Sequence, residues 1–455
     1  MDFWTGPVLR TAMILLLLLG AGELLRRGVP GLKGLGIPSC ILAGVLGLAL
    51  GPSAAGLLPF DVSVLESLVY HALAVVFIAV GLQPAEAVAG PVGPGVRSFT
   101  FGIPLMQSLQ IALGLGLVLL IGAVGVAAPH PGLGALLALG FEQGPGQALA
   151  MGAAWEELGL RDGADIGLIM AAMGYGWSIV VGLPLVLWGR KRGLIQPAAP
   201  RGVEPRSSET EDASPAGAGA LDPFTTQLVL IAGCYLITWL LCRGLFALLG
   251  MVEVWGFHFI VGTGVAMAVR PLLARLPGGG PVDGRAMGRI SGVTVDLMTT
   301  ASLAAVQLAV LDANLLPVLL ITSLGGLLTL IACLWLASRA FPEAPFEHAV
   351  VWFGMSTGTL AMGLALLRII DPGMRSPAPL GAVLGSAGAA AFSVPTLLLL
   401  LPAVMRGWHA GYTWAPAAGV LAALVYAGVL LGLWRVFGAL RFRGPPGRLW
   451  WRAGA

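Results

Sequence analysis

From Leu315 to Leu336 the chain reads LLPVLLITSLGGLLTLIACLWL without one charge. About 20 apolar residues in a helix cross the hydrocarbon core of a bilayer. Met13–Gly20, Ile111–Val126 and Leu397–Val404 are runs of the same kind. Charged residues make up 10% of the chain, against about 25% in water-soluble domains. Lipid is therefore the solvent that this sequence fits. A β-barrel would show short segments of alternating polarity, and these runs do not alternate. The fold class expected is an all-α polytopic membrane protein.

The net charge of +3 suggests nucleic acid less than topology, because Lys and Arg collect on the cytoplasmic side of membrane proteins. No nucleic-acid partner is expected. Cys40, Cys234, Cys242 and Cys333 all fall in apolar spans without metal-ligand spacing. They read as packed thiols, with no disulfide framework. The N-terminal apolar stretch lacks a small-x-small cleavage site and reads as a first, retained helix.

Five spans precede residue 190, at 8–25, 37–51, 66–83, 98–127 and 164–188. Residues 190–223 then turn rich in Pro, Ser, Glu and Gly, the composition of a flexible linker. Five more spans follow at 224–248, 257–274, 290–311, 315–338 and 380–404, and an extra one at 415–437. The organisation expected is an N-terminal repeat over 1–189, a cytoplasmic linker over 190–223, a second repeat over 224–405, and an extra helix with a basic tail over 406–455.

Between the fourth and fifth spans of each half lies an apolar segment with a broken middle. The first, 131–159, contains FEQGPGQALAMG, and the second, 346–371, contains GMSTGTLAMG. Both include LAMG, at 149–152 and 360–363. With the N-terminus outside, the inner ends collect Arg26, Arg27, Lys33, Arg97, Arg190, Lys191, Arg192, Arg275, Arg285, Arg289, Arg339, Arg375, Arg441, Arg443, Arg448 and Arg452. The outer side keeps Arg10, Arg161, Arg243 and Arg406. This asymmetry orients the chain, with the C-terminus in the cytoplasm. Five spans is an odd number, so the second half is inserted upside down relative to the first. The broken segments then enter as re-entrant hairpins from opposite faces, the plan of secondary transporters.

Irregular backbone survives at membrane depth only where protein buries it or a wet cavity borders it. Gly144-Pro145-Gly146 cannot continue a helix, so a return half-helix starts near Gln147. Its free amides and positive dipole end form an anion site, suited to a carboxylate. Ser356, Thr357, Gly358 and Thr359 form the second tip, where hydroxyls can cap the half-helix from Leu360 or meet a carboxylate. The substrate-binding candidates are Gln143, Gly144, Pro145, Gly146 and Gln147 with Ser356, Thr357, Gly358 and Thr359. Each break alone also fits an ordinary kinked helix packed by small residues.

Asp296 lies inside the eighth span, where a charge is costly and usually functional. It can join Thr299 and Thr300 in a cation site, or pair with Arg285 or Arg289 at the interface. Glu142 can serve as a cation ligand, a proton carrier or a brace. Gln107 and Gln110 read as interhelical hydrogen bonders, His71 and His258 as satisfied histidines, and Glu23 as an ion pair with Arg26 and Arg27.

GIPSCILAGVLG (36–47), VVFIAVGLQ (75–83), LMQ (105–107), GPGQALAMGAAWEELG (144–159) and STGTLAMGLALLRIIDP (356–372) together resemble the bacterial glutamate:sodium symporter family, of which the chain looks like a divergent member. The likeness runs from about residue 30 to 404, without the linker and the last helix. It departs from the family's pattern at 144–147 and 357–359. The resemblance implies two inverted five-helix repeats in a bacterial inner membrane and a homodimer. It also implies sodium-coupled symport of glutamate or a similar small carboxylate by alternating access. Sodium is the implied coupling ion, with Glu142, Asp296, Thr299 and Thr300 as its candidate ligands, and no other cofactor is expected. The alternative is a channel or receptor-like membrane protein for small anions. An enzyme is not expected, since no histidine stands at helical spacing to activate Ser356.

Overall fold

A computed structural model describes residues 6–83, 93–125, 129–195, 221–275, 281–438, 440–442 and 448–450. The expected linker therefore lies largely outside the described residues, at 196–220, as do Arg443 and Arg452 of the tail. Among the described residues there are helices and no strand.

In chain order the main helices are α1 (Pro7–Gly28), α2 (Ser39–Leu50), α3 (Val62–Leu82), α4 (Pro94–Ala123), α5 (Pro131–Ala138), α6 (Pro145–Glu156) and α7 (Gly163–Lys191). After the linker come α8 (Pro223–Leu249), α9 (His258–Leu273), α10 (Gly284–Ala304) and α11 (Leu315–Ala340). The chain closes with α12 (Pro345–Ser356), α13 (Leu360–Ile370), α14 (Ala378–His409) and α15 (Ala415–Phe437). The starts are written in the sequence. Asp61, Asp222 and Asp283 each accept backbone N–H groups at the head of α3, α8 and α10, which satisfies donors that a helix leaves unpaired. Pro7, Pro94, Pro131, Pro145, Pro223 and Pro345 stand at the first position of their helices, where the missing N–H costs nothing.

Eight of these helices are long and apolar enough to cross a membrane, so the chain is a multi-pass membrane protein. The sequence reading expected eleven spans. Each of the eleven falls on a helix for most of its length, but α2 has 12 residues and α9 has 16, short of the ~20 needed to span. The third exception, α10, has 21 residues but carries Arg285, Arg289 and Asp296. It also sits earlier than expected: it ends at Ala304, and Leu308–Ala313 forms a separate short helix. The expected span over 290–311 thus joined two elements, because apolar residues run on across the non-helical joint at 306–307.

Two helical groups can be told apart by their packing. In the first, α3 lies against α9 and α10, and α2 lies against α1 and α10. Small residues allow the close crossings: a Cβ on Gly81 would come 2.8 Å from Ala266, and one on Gly44 2.6 Å from Leu303. Glycine at such points lets backbones approach and gain dispersion contacts in a solvent with no hydrophobic drive between helices. In the second group α4 is central, with α5, α11, α14 and α15 against it. The extra helix α15 is a sheath on α4. It buries Ala423, Ala427, Leu430 and Trp434, and the Trp434 ring donates to Ser98 Oγ at 3.3 Å.

Each broken segment has its own apolar core. Leu133, Leu136, Leu137, Phe141, Met151 and Trp155 of the first pack with Val69, Leu73, Ile169 and Leu401. Phe346, Trp352, Phe353 and Leu366 of the second pack with Phe99, Leu185 and Trp434. Both segments are therefore buried in protein, the condition under which broken backbone is tolerated in lipid.

Candidate functional site

The first break follows from two adjacent residues. After α5 the helix loosens into a π turn over Leu139–Gln143, and Gly144 then takes φ 91° and ψ 179°. Only glycine adopts that backbone cheaply. Pro145 follows as the first residue of α6, and no side chain caps this start. Ala148 N–H donates to Gly144 O at 3.2 Å. The preceding amides of Gly146 and Gln147 are the orphan donors of the first turn. The expected reversal over 144–146 is thus narrower: Gly144 alone makes it, because Pro145 is already shaped for the helix.

Glycine also holds this segment in place. A Cβ on Gly114 of α4 would lie 2.0 Å from Gly134 O, and one on Gly152 of α6 2.0 Å from Gly163 O of α7. Both ends of the segment lie together, since a Cβ on Gly132 would stand 2.9 Å from Leu160 Cδ2.

The second break is built differently. α12 and α13 pack against each other where a Cβ on Gly354 would meet Gly363 Cα at 2.7 Å. Thr359 caps α13, its hydroxyl accepting from Met362 N–H at 3.4 Å. The Thr357 hydroxyl is buried and occupied: it donates to Phe353 O at 2.8 Å and lies 2.7 Å from Ser178 Oγ of α7. The two LAMG repeats make different contacts: Gly152 meets Gly163 at the start of α7, and Gly363 packs against Val351 O of α12.

The two breaks meet. A Cβ on Gly144 would stand 3.6 Å from Thr359 Cγ2 and 4.0 Å from Gly358 O. Ser356 presents its side chain to the Glu142 carboxylate. Gln143 Nε2 donates to Gln107 Oε1 at 3.3 Å. Gln110 Nε2 donates to Thr329 Oγ1 and to Ser356 O, each at 2.9 Å. The two glutamines of α4 are interhelical hydrogen bonders, as their spacing suggested, and they serve the breaks.

Polar atoms are left over there. Gln107 Nε2, Gln110 Oε1 and Gln147 Oε1 are buried without a hydrogen-bond partner among the described residues. Leaving such a group unmatched costs about 1–3 kcal/mol.

Of the proposed cation ligands, Asp296, Thr299 and Thr300 lie on α10 and Glu142 lies in the π turn before Gly144. Asp296 is exposed and borders a cavity of about 380 Å³ with Glu23, Ser39 and Cys40. The Thr300 hydroxyl donates to Cys40 O at 3.1 Å and to Asp296 O at 2.9 Å. Thr299 faces Tyr175, and Glu142 faces Ser356 at the breaks. Among the described residues no group of three or more His, Cys, Asp or Glu stands together to hold a metal. Glu23 pairs with Arg26 at 2.8 Å and Arg27 at 2.6 Å and accepts from Ser39. His258 lies between Trp255 O and Tyr70 O, one of which accepts its N–H, and stacks on Tyr70. His71 is exposed and bonded to Tyr235.

Sequence reasoning missed Ser178 and Thr329, ordinary small polar residues in apolar spans whose importance lies in what faces them. It also missed Glu253, fully buried and bound by Arg406 through two 3.0 Å bonds. Arg406 had only been counted as an outer charge. No family model matches the chain, and no curated protein is similar to it.

Proposed function

We propose that the chain is a secondary active transporter that carries a small carboxylate between its two helix breaks by alternating access. The observation that carries this reading is that the two helix breaks meet at Gly144 and Thr359, with buried, unmatched amide atoms on Gln107, Gln110 and Gln147. A cargo supplies the missing partners when it enters, and its carboxylate is received by the amide ends of α6 and α13.

The packing supports an inverted repeat. α3 lies on α9 as α10 lies on α2, and α4 holds the first broken segment as α11 holds the second. In a bilayer these halves stand in opposite orientations, the broken segments are re-entrant, and both tips reach the middle from opposite faces. The N-terminus is then outside and the basic tail inside. Resemblance to the glutamate:sodium symporters adds sodium as the coupling ion and a bacterial inner membrane as the location, with a homodimer as the assembly.

The test is uptake into proteoliposomes of labelled amino acids and dicarboxylates, with and without an inward sodium gradient. Concentrative uptake that collapses with the gradient is the expected result. Flux that only equilibrates the two sides would turn the reading toward a channel.

A further inference from the structure

Glu253 has no part in the meeting of the two breaks, yet it is a fully buried carboxylate. Arg406 Nε donates to its Oε1 and Nη2 to its Oε2, each at 3.0 Å, and Nη2 also reaches Gly250 O at 3.4 Å. The pair joins the two helical groups, since Glu253 opens the turn that leads into α9 and Arg406 stands near the end of α14. It also lies over the first broken segment. In the short helix Glu253–Gly256, a Cβ on Gly256 would come 2.6 Å from Met151 Sδ of α6. Tyr70 of α3 donates its hydroxyl to Trp255 O at 2.6 Å.

The end of α14 holds that segment at two more points. Trp408 meets the His130 ring edge-on, 6.4 Å between centroids, where α5 begins. His409 Nδ1 donates to Leu158 O, just past α6, at 3.2 Å. Entry and exit of the first segment are thus held by one end of one helix. That end is set apart from the rest of α14, because the chain runs as a π turn over Pro395–Leu400 with Pro402 just beyond. Proline removes a helix hydrogen bond, and π turns and prolines are where helices hinge and kink.

A buried ion pair adds little net stability, because desolvating both charges offsets their attraction. It does make a contact with two states. Arg406 keeps 38% of its side chain exposed and Glu253 none. The arginine can leave for water, but the carboxylate is wetted only when the turn above α6 lifts.

We infer that Arg406 and Glu253 form the outer latch of the transport cycle. The end of α14 clasps the first broken segment shut, and it swings away about the π turn when the site opens to the outside. This rests on the alternating-access reading and its orientation, and adds to it the contact that must part. Both residues act through the position of the first broken segment.

The experiment uses the full chain in spheroplasts, with Met151→Cys as a reporter labelled from outside by a membrane-impermeant maleimide. Met151 is buried beneath the Glu253 turn, and the four native cysteines are buried as well. Glu253→Gln combined with Arg406→Gln removes both charges and strands neither. It should speed labelling roughly tenfold, as the open state gains population. Arg406→Lys keeps the charge without the two-point grip and should speed it about threefold, which keeps the inference testable if the double variant does not fold. A reporter at Val351→Cys, buried in the second segment, should label no faster. Unchanged labelling at Met151→Cys overturns the latch, and so does an equal rise at both reporters, which is general loosening. In a second arm, Glu253→Cys and Arg406→Cys are bridged by a cleavable bifunctional thiol reagent. Uptake of a compound that the unmodified chain carries should fall to about a tenth or less and return on cleavage. Full uptake by the bridged chain overturns the latch and leaves the transporter standing. Faster labelling as expected, with no uptake of any compound by the unmodified chain, overturns the transport reading and with it the latch's place in a cycle.

Discussion

The two breaks perform the same interruption with different chemistry. At Gly144 the backbone is reversed by one glycine in a conformation other residues avoid, and its flanks are seated through backbone contacts at Gly114–Gly134 and Gly152–Gly163. At 357–359 the reversal is held by hydroxyls: Thr359 caps α13 and Thr357 pairs with Ser178. The first break is a matter of space, the second of hydrogen bonding. Space is unforgiving, because a methyl group has nowhere to go between two backbones. Hydrogen bonds are graded, because a lost hydroxyl leaves the shape intact.

Substitutions at the two places should therefore separate widely. Gly114→Val puts atoms where Gly134 O stands and should destabilise by about 3 kcal/mol or more, read as a large drop in Tm in detergent and loss of folded yield. A fall of under ~1 kcal/mol would mean that α4 and α5 can part, and the contrast would fail at its strongest point. Gly144→Ala has room, since Thr359 Cγ2 stays 3.6 Å away, and suffers only the backbone strain, about 2 kcal/mol. Its Tm should fall less than that of Gly114→Val, and a helix continued through 144 should remove uptake.

Thr357→Val should cost about 1 kcal/mol, the price of one buried bond. Combined with Ser178→Ala it should cost less than the sum of the two, since they share the bond. Strict additivity would show that the pair does not matter to the second break. Thr359→Ala should cost least, about 0.5 kcal/mol, because its cap is long at 3.4 Å. Local fraying of α13 measured by hydrogen exchange is the sensitive readout.

Much of this was legible beforehand. The long apolar runs announced the crossing helices, and Gly144-Pro145 and Thr359 announced the two interruptions. The misreadings have a common cause. Apolar composition marks what lipid or core will accept, without saying where a helix stops, so 290–311 absorbed the joint after Ala304. The π turn before Gly144 left no mark in the pattern, since it keeps helical side-chain chemistry while changing only the hydrogen-bond step. Residue types also do not say which way the candidate cation ligands face. Neighbours on one helix point to different sides, so Thr300 turned to Cys40 and Thr299 to Tyr175.

By itself the sequence determined the solvent, the helices and the two points where they break, because hydropathy and backbone permissiveness are properties of residues in a row. Only the tertiary structure decided that Gln110 and Glu142 both meet Ser356. That juxtaposition depends on how helices distant in the chain cross, and crossing is set by glycine-sized gaps whose partners no local pattern names.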